Sequence, residues 1–120
     1  MAKEKRPDAY SDVQAKIGER IKWARELVEP NRAAFARAMG VDRSTLQKIE
    51  DGTRAPSVFN VLDIAHKLRV TPDYILKGTL KGVDGELAAA LAVRHPELDR
   101  RTDMATDSGT YQPPKRPRRA

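Results

Sequence analysis

The sequence predicts an all-α domain, and three observations carry that expectation. Apolar residues recur at steps of three and four from Val13 to Leu76, the period of helices with one buried stripe each. Residues of the helix-capping type precede these stretches, and glycines or prolines follow them. Aromatic residues make up only 5% of the chain and charged residues 33%, so the core has to be small, aliphatic and helical.

The elements follow in order along the 120 residues, a length that suits one compact domain and some tail. Residues 1–10 have no sustained apolar period and are expected to form a flexible arm. Ser11 is placed to cap the first helix, with Gln14 three residues later as in a capping box. Val13, Ile17, Ile21, Ala24 and Val28 make its buried stripe, and Trp23 packs beside it. Pro30 and Asn31 end this helix and start the second, where Phe35, Ala36 and Met39 share a face. Gly40 takes positive φ at no steric cost and suits the end of that helix. The Asp42 carboxylate is expected to cap the third helix, which turns Leu46 and Ile49 inward. Arg43, Ser44, Gln47 and Lys48 stay on its other side.

A loop, TRAPS, leads to Ser57 as the cap of a fourth helix that buries Val58, Val61, Leu62, Ala65 and Leu68, with His66 facing solvent. Thr71 followed by Pro72 starts a short fifth helix containing Tyr74, Ile75 and Leu76, which ends near Gly78. Residues 11–78 thus read as a compact five-helix domain. Within 79–101, Glu86 to Arg94 has strong helix propensity, with Leu87, Ala90 and Leu91 on one face and Pro96 as the stop. Residues 102–120 are polar, rich in proline and glycine, and expected to be disordered.

Composition narrows the function. The chain has no cysteine, which excludes a disulfide framework and a zinc finger. His66 and His95 lie far apart without a ligand cluster, so neither a metal nor another cofactor is expected. No apolar run has transmembrane length and no signal peptide is evident, so the expected location is cytoplasmic and membrane-free. The net charge of +6 favours an anionic partner, and residues 31–78 carry eight basic against five acidic side chains. The stretch from Asn31 to Gly52 then gives the partner a form. Two short helices across a tight turn, the second paved with Arg43, Ser44, Gln47 and Lys48, make a helix-turn-helix pattern. Such a pattern predicts sequence-specific binding of double-stranded DNA.

Three pieces, IGERIKWAR, RAAFARAMGVDRSTLQKIEDG and RAPSVFNVLDIAHKLRVTPDYILKG, occur in the order and spacing of one family. The chain from Ile17 to Gly78 resembles the lambda-repressor-like, Cro/cI-type helix-turn-helix proteins. The resemblance implies a partly buried structural ion pair between Arg25 and Glu50, and a close helix crossing at Ala36. It places Arg43, Ser44 and Lys48 toward the major groove, with Thr45 and Gln47 as flanking readers. Phosphate contacts are expected from Lys22, Arg32 and Arg54. Two departures stand out. Arg32 replaces the family's usual glutamine, which leaves the support of the recognition helix open, and Glu29-Pro30 replaces the usual turn.

The resemblance also implies a homodimer on two half-sites. The candidate contact surface is the C-terminal end of the domain, the fifth helix first and Leu87 and Leu91 beyond it as a further candidate. The expected function is a transcriptional regulator, in the first instance a repressor, with helix 43–50 in the major groove of an operator. No catalytic constellation is present, so enzymatic activity is not expected. Two other readings are open: an antitoxin whose residues 79–120 wrap a protein partner, and a protein-interaction module like the bridging coactivators. The basic run Lys115, Arg116, Arg118, Arg119 fits a solvated tail, a non-specific grip on DNA or a nuclear localisation signal.

Overall fold

The structure is a computed structural model and describes residues 8–98. The basic run at 115–119, the expected disordered segment and most of the expected N-terminal arm lie outside the described residues. Among the described residues six helices follow one another: α1 Asp8–Val28, α2 Arg32–Met39, α3 Arg43–Asp51, α4 Val58–Leu68, α5 Pro72–Lys77 and α6 Gly85–Arg94. The long α1 is the platform, packing against α3, α4, α5 and α6, while α2 leans on α3. No helix among the described residues is long and apolar enough to cross a membrane.

Several helix ends follow local chemistry read from the sequence. The Asn31 side chain accepts from the Ala34 amide, and Gly40 closes α2 in the left-handed region at φ 74°. Ser57 and Asn60 form a reciprocal capping box at α4. The Thr71 hydroxyl accepts from the Tyr74 amide, with Pro72 in the first turn of α5. Other ends differ. Helix α1 starts at Asp8, so Asp8 to Tyr10 are helical rather than arm, and Ser11 lies inside the helix. Asp42 has N-cap backbone geometry but its side chain makes no capping bond.

Helix α4 presents a different face from the one expected. Val61, Ile64, Ala65 and Leu68 are buried, whereas Val58 and Leu62 are 70% and 52% exposed. Apolar residues line both sides of this helix, so period alone could not choose. The buried set is the complete i, i+3, i+4, i+7 stripe, and it wins. Beyond Gly78 the chain stays on the same core: Leu80, Val83, Leu87, Leu91, Ala92 and Leu98 join the cluster built on Ile21, Phe35, Leu46 and Ile64. Leu87 and Leu91 therefore pack inward, and Ala92 rather than Ala90 completes their face. The dimer surface expected at Leu87 and Leu91 is overturned by this burial. Trp23 is half-buried, its ring stacked on His95 with centroids 3.8 Å apart, which clasps the end of α6 to α1.

Two contacts of α1 explain its role as platform. A Cβ on Gly18 would collide with the carbonyl oxygens of Ile49 and Glu50, so only glycine lets α3 lie this close. On another face, the fully buried Tyr74 hydroxyl donates to the Arg20 carbonyl oxygen at 2.6 Å, and Arg20 Nη1 donates to the Ile75 carbonyl oxygen at 3.1 Å. Desolvation pushes the Tyr74 hydroxyl well above its ordinary range, against a smaller opposing effect of the Arg20 charge. Desolvation likewise lowers Arg20, opposed by Tyr74 and Glu19.

Gly18→Ala should destabilise the fold by about 3 kcal/mol, because overpacking against backbone outweighs alanine's helix propensity. Chemical denaturation measures this, and a neutral or stabilised variant would remove the close-crossing account. Tyr74 supplies a pH test. Its folded-state pKa lies above the unfolded value near 10, so its contribution is complete below that value. Stability should fall as pH rises beyond about 10, where only the unfolded chain can ionise, and Tyr74→Phe should lack that component in pH-resolved melting curves.

Candidate nucleic-acid interface

The turn between α2 and α3 starts from backbone chemistry. With Gly40 left-handed, the Gly40 amide donates to the Arg37 carbonyl oxygen at 3.1 Å and the Val41 amide to that of Ala36 at 3.0 Å. This closes α2 and aims the chain at Asp42 and α3. Helix α3 then divides its sides sharply. Leu46, Ile49 and Glu50 are buried, while Arg43, Ser44, Gln47 and Lys48 are exposed and Thr45 is half-buried. Every long polar side chain that could reach a base edge thus lies away from the core, on one helix.

The one charged residue α3 turns inward, Glu50, is what ties the helix down. Arg25 Nε donates to Glu50 Oε2 at 2.5 Å and Arg25 Nη2 to Oε1 at 3.3 Å. Arg25 Nη1 donates to the carbonyl oxygens of Glu29 at 3.1 Å and Pro30 at 2.9 Å. The guanidinium therefore joins α1, the α1–α2 turn and α3 at one point. Arg32, the first residue of α2, adds a third helix: its Nε donates to Glu50 Oε1 at 3.1 Å. The Glu50 side chain is fully buried and that of Arg25 is 3% exposed, but Arg32 retains 25%. Among the described residues no bond is made by the Arg32 Nη groups, so they have donors to spare for an outside anion.

The departures at 29–32 resolve accordingly. Arg32 does support α3, through Glu50. The Glu29-Pro30 turn is held by Arg25 and by the Glu29 carboxylate, which accepts from the Asn31 amide at 3.0 Å. The structure brings Arg25, Arg32 and Glu50 together in one network and sets Arg43, Ser44, Gln47 and Lys48 on one face. Lys22 is half-buried on α1 and Arg54 is exposed in the loop after α3, and neither bonds to that face among the described residues. Ala36 is buried at the α2 crossing.

Sequence reasoning missed two anchors. Gln14 Nε2 donates to the Gly52 carbonyl oxygen at 2.8 Å, fixing the C-terminal end of α3 on α1. Gly18 allows the crossing beside it, and its only signal was an unexplained glycine inside a helical pattern. The Thr53 and Arg54 amides both donate to the Lys48 carbonyl oxygen, which folds the following loop back onto α3.

Against known proteins, the family described as helix-turn-helix matches residues 21–75. Repressor protein C2 of Salmonella phage P22 is 33% identical over 64 residues, covering 53% of this chain and 30% of the repressor. An uncharacterised HTH-type transcriptional regulator, y4wC of Sinorhizobium fredii, is 30% identical over 78 residues, covering 65% and 54%. The chain thus spans about a third to a half of these curated relatives. Among solved structures, the restriction-modification controller protein C.AhdI of Aeromonas hydrophila superposes with a TM-score of 0.52 at 30% identity. That match covers 57% of this chain and 99% of the controller. The DNA-binding domain of the P22 C2 repressor superposes with a TM-score of 0.51 at 29% identity, covering 62% and 96%.

Glu50→Ala should cost about 3–5 kcal/mol in denaturation, because it leaves the buried Arg25 charge without a partner. Arg32→Ala, at a half-exposed position, should cost about 1 kcal/mol or less. Equal effects would show that Glu50 is not the joint of the network.

Proposed function

The chain belongs to the Cro/cI-type helix-turn-helix family, and on that premise we propose that it is a sequence-specific DNA-binding regulator that represses by occupying an operator. Helix α3 enters the major groove. Arg43 and Lys48 donate to guanine O6 and N7, Arg43 in bidentate fashion, while Ser44 donates or accepts. Gln47 meets adenine and Thr45 a phosphate or thymine methyl at the edge of the site. Arg32, Lys22 and Arg54 hold phosphates, which set position and affinity but carry no sequence information. Two copies on a two-fold axis read half-sites about one helical turn apart.

The observation that supports this reading is the division of α3. Its polar side is wholly outward, and its inward side is locked to two other helices through Glu50. Readers held on a rigid helix suffer little loss of freedom on binding, so their hydrogen bonds translate into discrimination. Arg32 adds support from the same network, with Nη groups left over for a phosphate beside the first turn of α2.

Selection of bound duplexes from a random pool tests the proposal, and recovery of one sequence with steep salt dependence is the expected result. On that sequence Arg43→Ala should cost about 1–3 kcal/mol and relax preference at one position, whereas Arg54→Ala should weaken all duplexes alike and reduce the salt slope by about one. If no sequence is enriched, or both variants behave alike, the assignment of readers and clamps fails.

A further inference from the structure

One peptide bond beyond α3 is held at both ends. The Gly52 carbonyl oxygen accepts from Gln14 Nε2 at 2.8 Å. On the other side of the same bond, the Thr53 amide donates to the Lys48 carbonyl oxygen at 3.0 Å. Gly52 itself is left-handed at φ 82°, and a Cβ there would stand 2.8 Å from the Ala15 Cα, so the residue lies flat on the backbone of α1. A glycine in that region could otherwise turn the peptide that follows it at low cost. The donor from α1 removes that freedom.

The residue to which this peptide leads is Arg54. Its amide also donates to the Lys48 carbonyl oxygen, at 3.2 Å, whereas its side chain is exposed and makes no bond among the described residues. The point from which the guanidinium reaches out is therefore decided by the backbone, and that backbone is fixed from α1. The contacts of Gly18 and Arg25 fall on Ile49 and Glu50, before the loop begins. Gln14 also precedes residues 21–75, the part of the chain that the helix-turn-helix family matches.

We infer that Gln14 is a positioning residue for DNA binding: through the Gly52–Thr53 peptide it sets Arg54 in place to hold a phosphate. The inference deepens the DNA-binding reading and rests on it. A side chain carried by a fixed loop loses less freedom on binding than one whose loop must first be ordered, so the bond from Gln14 acts on affinity. It does not act on base choice, because phosphate contacts set position and carry no sequence information. The N-terminal half of α1 thus has a task beyond packing.

The test uses the full chain with Gln14→Met, which keeps the length and helix propensity of the side chain and removes the donor. Melting curves first establish that the variant folds, and Gln14→Ala repeats the test if methionine crowds the crossing. On the selected duplex, Gln14→Met should weaken binding roughly threefold to tenfold, flatten the salt dependence toward that of Arg54→Ala, and leave the selected sequence unchanged. Combined with Arg54→Ala it should do nothing further, since the side chain it positions is gone. A general loosening of the fold would persist in that background and relax the sequence preference. Wild-type affinity in Gln14→Met, an undiminished effect beside Arg54→Ala, or a relaxed preference overturns the inference.

Amide hydrogen exchange without DNA separates this outcome from failure of the DNA-binding reading. Gln14→Met should speed exchange at Thr53 and Arg54 roughly threefold to tenfold and leave Leu46 and Ile49 at their wild-type rates. Unchanged exchange at Thr53 and Arg54 overturns the positioning whether or not the chain binds DNA. If exchange behaves as expected but the wild-type chain selects no duplex, the hold on the loop stands, and the DNA-binding reading and the task of Gln14 in it fall together.

Discussion

A carboxylate buried beneath two guanidinium groups is the constraint on which the rest of this fold depends. Glu50 points into the protein from the helix whose other side is outward and polar, and it cannot stand there alone. Arg25 and Arg32 supply the opposing charge, one from α1 and one from α2. Such a group need not add net stability over an apolar core of the same shape. What it adds is a single allowed orientation. Rotating α3 by one residue about its axis would pull Glu50 from its partners and carry Asp51 or Lys48 toward the apolar core. The direction in which Arg43, Ser44 and Gln47 point is therefore decided on the far side of their own helix.

The platform under that helix is α1, and its contacts with α3 are spread along its length. Gln14 holds the C-terminal end of α3 at Gly52, Gly18 admits the backbone at Ile49 and Glu50, and Arg25 grips Glu50 itself. These residues stand at steps of four and seven, so they share one face of α1. Ile21 and Ala24, fully buried, lie beside them in the core. The face that carries Arg20 meets α5 through Tyr74, and Trp23 reaches His95 at the end of α6. A helix gripped on several sides has little freedom to tilt, which keeps α3 in a constant relation to the whole body.

The sequence made some of this legible because certain signals are local. Asn31, Gly40, Ser57, Thr71 with Pro72, and Gly78 act on backbone groups within a few residues, so their effect needs no knowledge of the tertiary fold. The exposed polar side of α3 was legible for a similar reason: Leu46 and Ile49 permit only one inward side. The side of α4 was not legible, since Val58 and Leu62 compete with Val61 and Ile64 and only the shape of the core decides between them. Leu87 and Leu91 showed the same ambiguity in reverse. Their helix looked like an appendage by composition, and only packing on α1 brings them into the core. Gly18 and Gln14 act across distances in sequence that no local pattern encodes.

Arg32 shows how a departure from a family pattern leaves donors free while one side chain anchors a helix. A glutamine amide has two donors on a single nitrogen, so supporting a neighbouring helix and reaching a phosphate draw on the same atom. A guanidinium has donors on three nitrogens in a fixed fork. Here the Nε holds Glu50 while, among the described residues, the Nη groups make no bond, so anchoring the helix does not use up the donors. The charge count follows the same logic. One carboxylate facing two guanidiniums leaves the network with a net positive charge, and the half-exposed member, Arg32, carries that surplus to the surface at the start of α2. An arginine in place of the glutamine thus leaves the anchoring of α3 in place and adds a cation where the first turn of α2 already presents its backbone amides.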